Sequence, residues 1–157
     1  MEFKGIQVSK TYQQVNQAAP EVVFPLLCPV REKSWLDGWD YTMIYSVSGL
    51  IEEGCVFSTP HHGKHNTIWY VTVYDKVNYK IEFVRVTPEE EVVRINIGLT
   101  GRDDGTTTTT ITYQYTALNE EKNEWLKTQF EDSFRESMIW WEKAINHYLR
   151  TGKMLKK

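Results

Sequence analysis

A chain of 157 residues, 41% hydrophobic and 25% charged, can bury one ordinary globular core without covalent staples. A formal net charge of -3 and a pI near 5.8 argue against nucleic acid, which favours a broad basic face. Two cysteines, Cys28 and Cys55, exclude a disulfide-built scaffold, and no CxxC pair supports a cysteine zinc site.

The opening MEFKGIQVSKTY lacks the apolar run of a signal peptide, and no stretch is long enough to span a bilayer. The expectation is a cytoplasmic protein with free thiols. Ile6 to Asn16 reads as a strand, with Val8, Tyr12 and Val15 among polar residues. Pro20 then opens a short helix through Val22, Val23 and Phe24, limited by Pro25 and Pro29. Cys28 to Trp39 reads as a second short helix or turn, ended by Asp37-Gly38.

From Tyr41 the period becomes two. Tyr41, Met43, Tyr45 and Val47 share one parity, and Cys55 to Thr59 is a short strand. A polar loop, Pro60 to Asn66, carries three histidines. Thr67 to Val77 is apolar on both parities, as expected of a strand covered on two sides. Asn78 turns the chain into Tyr79 to Thr87, where Ile81, Phe83 and Arg85 share a face. Glu91 to Thr100 alternates, with Val93, Ile95, Ile97 and Leu99 opposite Arg94 and Asn96. Asp103-Asp104-Gly105 is a hairpin signal. The threonine run Thr106–Thr110 is β-branched and leads into Ile111, Tyr113 and Tyr115, so it predicts a long strand with a polar first half.

After Leu118 the period moves to near 3.6. Leu126, Phe130, Phe134, Met138, Trp141, Ile145 and Tyr148 lie on one stripe, behind an Asn119 N-cap and ahead of Gly152. The spacing predicts one helix of about 30 residues, or roughly 45 Å. Strands in a run followed by a helix indicate an α+β fold, and a helix of that length crosses an antiparallel sheet of six or seven strands. A sheet of that size curls, and a curled sheet gripping one helix leaves space between them.

This element order resembles the START-related SRPBCC superfamily, the helix-grip proteins, which include lipid-transfer domains, pollen-allergen-like proteins and polyketide cyclases. Cys28-Pro29-Val30-Arg31-Glu32-Lys33-Ser34-Trp35-Leu36-Asp37-Gly38-Trp39 is similar to a stretch in functionally unassigned bacterial members. Phe57-Ser58-Thr59-Pro60-His61-His62-Gly63, followed by Thr67-Ile68-Trp69, also resembles that subgroup. The resemblance implies one domain over residues 1–157, in which a curved sheet wraps a long C-terminal helix, with two short helices after the first strand.

A cavity between sheet and helix would be lined by Met43, Tyr45, Trp69, Val71, Ile81, Phe83, Ile95, Ile97, Tyr113 and Tyr115 from strands. Phe130, Phe134, Met138 and Trp141 would complete it from the helix. The same side chains could instead fill the core. Arg85 either holds an anionic group in that pocket or forms a rim ion pair near Glu89 to Glu91, the simpler reading. Trp35 and Trp39 either frame the pocket mouth or plug the open end of the sheet, while Arg31 and Glu32 read as a local surface pair. His61, His62 and His65 would form a metal site only if the loop brought them together; a solvated, pH-sensitive hairpin is the simpler reading.

No GxSxG, P-loop or dinucleotide fingerprint is present, so no cofactor is expected. The leading expectation is a protein that sequesters or transports a small hydrophobic or amphipathic molecule, such as a lipid. A cyclase- or aromatase-like enzyme and an activator-type interaction module are the alternatives. No nucleic acid or integral membrane association is expected, and the chain should be a monomer or weak homodimer.

Overall fold

The alternating segments do pair into one antiparallel sheet. The computed structural model describes residues 2–157. Its strands are β1 (Gln7–Asn16), β2 (Thr42–Tyr45), β3 (Val56–Thr59), β4 (Thr67–Asp75), β5 (Lys80–Thr87), β6 (Glu91–Gly101) and β7 (Thr107–Ala117). They pair in the order β1-β7-β6-β5-β4-β3-β2, every neighbour antiparallel. Two four-residue helices, α1 (Pro20–Val23) and α2 (Pro29–Glu32), join β1 to β2, each with proline in its first turn. Among the described residues no helix is long and apolar enough to cross a membrane.

The threonine run is strand, as expected. Thr107 and Thr109 are fully buried, and their hydroxyls donate to Ala18 O and Asn16 Oδ1 at 2.7 and 2.6 Å. A polar half-strand can face inward because each buried hydroxyl finds an acceptor.

The C-terminal helix is broken once. Asn119 caps α3 (Glu120–Thr128), its Oδ1 accepting from Lys122 N at 2.7 Å. Gln129, at φ -124° and ψ -22°, separates α3 from α4 (Phe130–Thr151). The predicted 30-residue helix is therefore two segments, of 9 and 22 residues. The apolar stripe survives the break, with Leu126, Phe130, Phe134, Met138 and Ile145 buried. Gly152 ends α4 at φ 73°, a left-handed conformation that glycine takes without strain.

Polar side chains pin α4 to the edge strand β1. Tyr12 donates to Glu142 at 2.5 Å, and Asn146 Nδ2 donates to Val15 O at 2.9 Å while its Oδ1 accepts from Gln17 N. Beyond α4 the chain returns beside Leu36, with a bridge to Leu155 and Lys157 N donating to Asp37 at 3.0 Å.

Two bulges correct the strand reading. Between Met43 and Tyr45 the β2–β3 register shifts, which turns Tyr45 outward and leaves it 56% exposed. A second shift lies between Val71 and Val73. Strand β4 is not covered on both faces: Ile68, Tyr70 and Val73 are exposed on the outer one. Their apolar character fits a pleated strand without implying a second layer.

Candidate functional site

Helix α4 crosses the inner face of the sheet and leaves a cavity of about 130 Å³ beneath it. Trp69, Phe83, Ile95, Ile97 and Tyr113 line it from the sheet, and Met138 and Trp141 from α4. Phe57, Ile111, Leu36, Trp39 and Glu32 complete the wall. The aromatic packing is dense. Phe57 stacks on Trp69 with centroids 5.3 Å apart, Phe83 meets Trp69 edge-on at 5.6 Å, and Trp39 meets Trp69 edge-on at 6.1 Å.

The cavity continues outward into an open groove. Leu36, Trp39, Tyr113, Met138 and Trp141 border both, and Asp37, Glu136, Trp140 and Lys157 form the outer rim. Trp39 therefore stands at the mouth, its indole N–H donating to Pro29 O at 2.9 Å. Trp35 has the other role that its sequence allowed. It is completely buried, donates to Leu26 O at 3.0 Å and meets Trp141 edge-on at 5.2 Å.

Other expected lining residues lie elsewhere. Val71 and Ile81 are buried in the core but outside the cavity wall. Phe130 and Phe134 close one end by packing on Tyr115 and Tyr113, at 4.7 and 5.3 Å. Met43 is half-buried, with its sulfur 3.5 Å from Cys55 Sγ. Tyr45, turned out by its bulge, takes no part.

Arg85 is neither in the cavity wall nor an exposed rim residue. Its Nη1 donates to Glu91 at 2.9 Å, its Nη2 donates to the Tyr115 hydroxyl at 2.7 Å, and its guanidinium lies 5.4 Å from the Trp69 and Tyr115 ring centres. Glu91, only 4% exposed, also meets Lys122 of α3 at 2.9 Å. Burial alone would lower the Arg85 pKa, but Tyr115, Tyr113 and Glu91 together raise it. The result is an Arg–Glu–Lys chain, buried at Glu91 and half-buried at its two cations, that ties β5 and β6 to α3, with Arg85 Nε left without a partner.

Glu32 is the residue the sequence reading missed. It sits at the end of α2, half-buried, with its side chain in the cavity wall. Burial alone raises its pKa to about 8, with no hydrogen bond or neighbouring charge to offset it. Tyr113, in the same wall, is pushed up to about 12 by burial, against the opposing pull of Arg85. A signal for Glu32 was present in the spacing: Cys28, Glu32, Trp35 and Leu36 fall at steps of four, three and one. That places Glu32 on the apolar stripe of a helical turn, and the turn is real, since Leu36 N donates to Glu32 O at 2.8 Å.

The histidine loop does not converge. His61 meets Glu90 at 3.0 Å and His65 meets Glu89 at 3.4 Å, both carboxylates coming from the β5–β6 turn, while His62 is exposed. Among the described residues no three His, Cys, Asp or Glu side chains are arranged to hold a metal ion. A wider groove of about 450 Å³ lies across the short helices, against Phe24, Tyr74 and Tyr79. Its charged residues Glu21, Arg31 and Lys76 are all exposed, so it lacks the converging buried groups of the inner cavity.

No family model matches the chain, and no curated protein matches it. Solved structures do match it along nearly its whole length. Norcoclaurine synthase from Thalictrum flavum, in complex with dopamine and hydroxybenzaldehyde, aligns over 95% of this chain and 90% of its own, with TM-score 0.66 and 10% identity. A Staphylococcus aureus protein of unknown function aligns over 95% and 97%, with TM-score 0.70 and 13% identity. Major latex-like protein 151 from Panax ginseng aligns over 92% and 98%, with TM-score 0.65 and 13% identity. The chain thus shares the fold of these proteins, a curved antiparallel sheet gripping a long C-terminal helix.

Proposed function

We propose that this protein binds a small apolar or amphipathic molecule in the cavity between the sheet and α4. The supporting observation is the cavity itself, a void walled by aromatic and aliphatic side chains and open to solvent past Trp39. Burial of an apolar ligand there contributes about 25 cal/mol per Å² before ordering costs. A dry apolar cavity of about 150 Å³ holds one benzene ring, so the inner cavity suits a ligand with about one ring, and larger bodies extend into the groove. The similar Thalictrum flavum enzyme was solved with two small molecules, dopamine and hydroxybenzaldehyde, which fits a ligand of that scale.

Binding is favoured over cyclase-type catalysis. A catalytic set needs mutually oriented polar groups, whereas Glu32 and Tyr113 share the wall without a hydrogen bond between them. Titration of the protein with one-ring hydrophobes, followed by tryptophan fluorescence and native mass spectrometry, tests the reading. Stoichiometric binding that is lost in Ile111→Phe or Ile97→Phe supports it, and absence of binding by every probe overturns it.

One observation favours a second reading. Ile44 and Tyr45 of β2 and Ile68 and Tyr70 of β4 are exposed apolar residues on either side of β3, the kind of surface an interaction module presents. Substitution of Tyr45 and Tyr70 by serine separates the two readings, since ligand binding would be unchanged and partner docking lost.

A further inference from the structure

The inner cavity contains one ionisable carboxyl, no cation to meet it and an unusual concentration of aromatic rings. We propose that the cavity is built for a small organic cation, an ammonium group on a body of about one ring, with the Glu32 carboxylate as counter-ion and the surrounding rings as its cage. This rests on the reading that the cavity binds a ligand, and it specifies that ligand's chemistry.

Three observations carry it. First, Trp39, Phe57, Trp69, Phe83, Tyr113 and Trp141 all line a space of about 130 Å³. Aromatic faces carry negative charge density and attract a desolvated cation, most strongly when several surround it. Second, among the described residues no cation meets Glu32 in the cavity wall. Arg85, further along the sheet, is held by Glu91 and Tyr115. The remaining charged neighbours, Asp37, Glu136 and Lys157, lie in the outer groove, and Lys157 Nζ is 5.5 Å from the Trp140 ring centre. From the sheet, the only titratable group in the cavity wall is the Tyr113 phenol, and α4 presents only Met138 and Trp141 to the space.

Third, the Glu32 side chain is half-buried against this apolar wall, which disfavours its anion and holds its pKa up at about 8. A bound ammonium would reverse that balance, because the ion pair forms where water screens it less than at a free surface. A neutral carbonyl ligand would need only a donor, which the Tyr113 hydroxyl already offers. A protonated carboxyl can also donate to a neutral carbonyl, but only a ligand that brings positive charge draws it into its ionised form.

The test compares phenyltrimethylammonium with its neutral isostere tert-butylbenzene, and adds acetophenone as a carbonyl probe. Neither of the first two titrates, so any pH dependence of binding belongs to the protein. Tighter binding of the cation, by about tenfold or more, is expected. Because the bound form needs ionised Glu32, affinity should rise roughly tenfold from pH 7 to pH 9. Calorimetry at pH 7 in buffers of different ionisation enthalpy should show release of about 0.9 proton per cation bound. Glu32→Gln should abolish the preference, the proton release and the pH dependence while still binding tert-butylbenzene. Glu32→Leu should bind it more tightly.

Equal or tighter binding of the hydrocarbon or the ketone by the wild type overturns the inference and leaves the cavity reading intact. Undiminished cation binding by Glu32→Gln also overturns it, since the charge would then be met elsewhere. Failure of all three probes overturns both readings.

Discussion

Replacing Glu32 by glutamine should make the unliganded protein more stable at neutral pH, and the gain can be worked out from the burial of one carboxyl. In the unfolded chain this group titrates near its ordinary value of 4.5, and in the folded protein at about 8. Below pH 4.5 both states hold the proton, so the carboxyl has no effect on stability through ionisation. Between pH 4.5 and 8 the unfolded chain gives up the proton and the folded one retains it. Stability therefore falls as pH rises through that window, and the loss levels off above pH 8. At pH 7 the folded state has forgone about 2.5 pH units of favourable ionisation, or about 3 kcal/mol, rising to nearly 5 kcal/mol at pH 9.

Glutamine has the shape and neutrality of the protonated acid without its titration. Urea unfolding at pH 4.5, 7 and 9 should show the variant and wild type close together at the lowest pH, then diverging, with the variant the more stable. For a chain of this length, about 3 kcal/mol at pH 7 corresponds to a rise of roughly 6–12 °C in Tm. A difference that stays within about 0.5 kcal/mol at all three pH values, or a variant less stable than wild type at pH 9, would refute the placement of this carboxyl in an apolar wall. A saturating organic cation should shrink the gap by stabilising the wild type more than the variant.

Three further substitutions probe the frame around the cavity. Glu91→Gln leaves the half-buried Arg85 and Lys122 without their shared carboxylate and should lower stability by about 3–5 kcal/mol in urea unfolding. Trp35→Ala removes a fully buried indole and its hydrogen bond to Leu26, and should cost about 3–5 kcal/mol with a matching fall in Tm. Trp39→Ala, by contrast, opens the half-buried mouth, so stopped-flow measurements should show faster ligand release with a smaller loss of stability.

The frame was legible because periodicity carries it. Strands with a single apolar parity, such as Glu91–Gly101, and the stripe from Leu126 to Ile145 state their buried faces directly. What periodicity does not carry is an inserted residue. The bulge that turns Tyr45 outward, and the break at Gln129 that divides the helix, leave no mark in an alternating or 3.6-residue pattern. Both are set by tertiary packing. For Arg85 the sequence offered an anion site in the pocket or a rim ion pair near Glu89 to Glu91; its pairing with Glu91, away from any exposed rim, depends on a strand register that places the two residues near the same sheet end.

Glu32 shows the remaining limit. A charged residue beside Arg31 and Lys33 reads as surface, because charged side chains are seldom buried without partners. The helical stripe Cys28, Glu32, Trp35, Leu36 argued otherwise, yet a single turn is too short for its pattern to outweigh the charge. Composition favours the surface, spacing favours the interior, and the structure follows the spacing. When a polar group is held inside against its own solvation preference, the fold has given up stability for it. A role in binding gives a physical reason for that concession, because a ligand bearing the complementary charge returns what the empty cavity lacks.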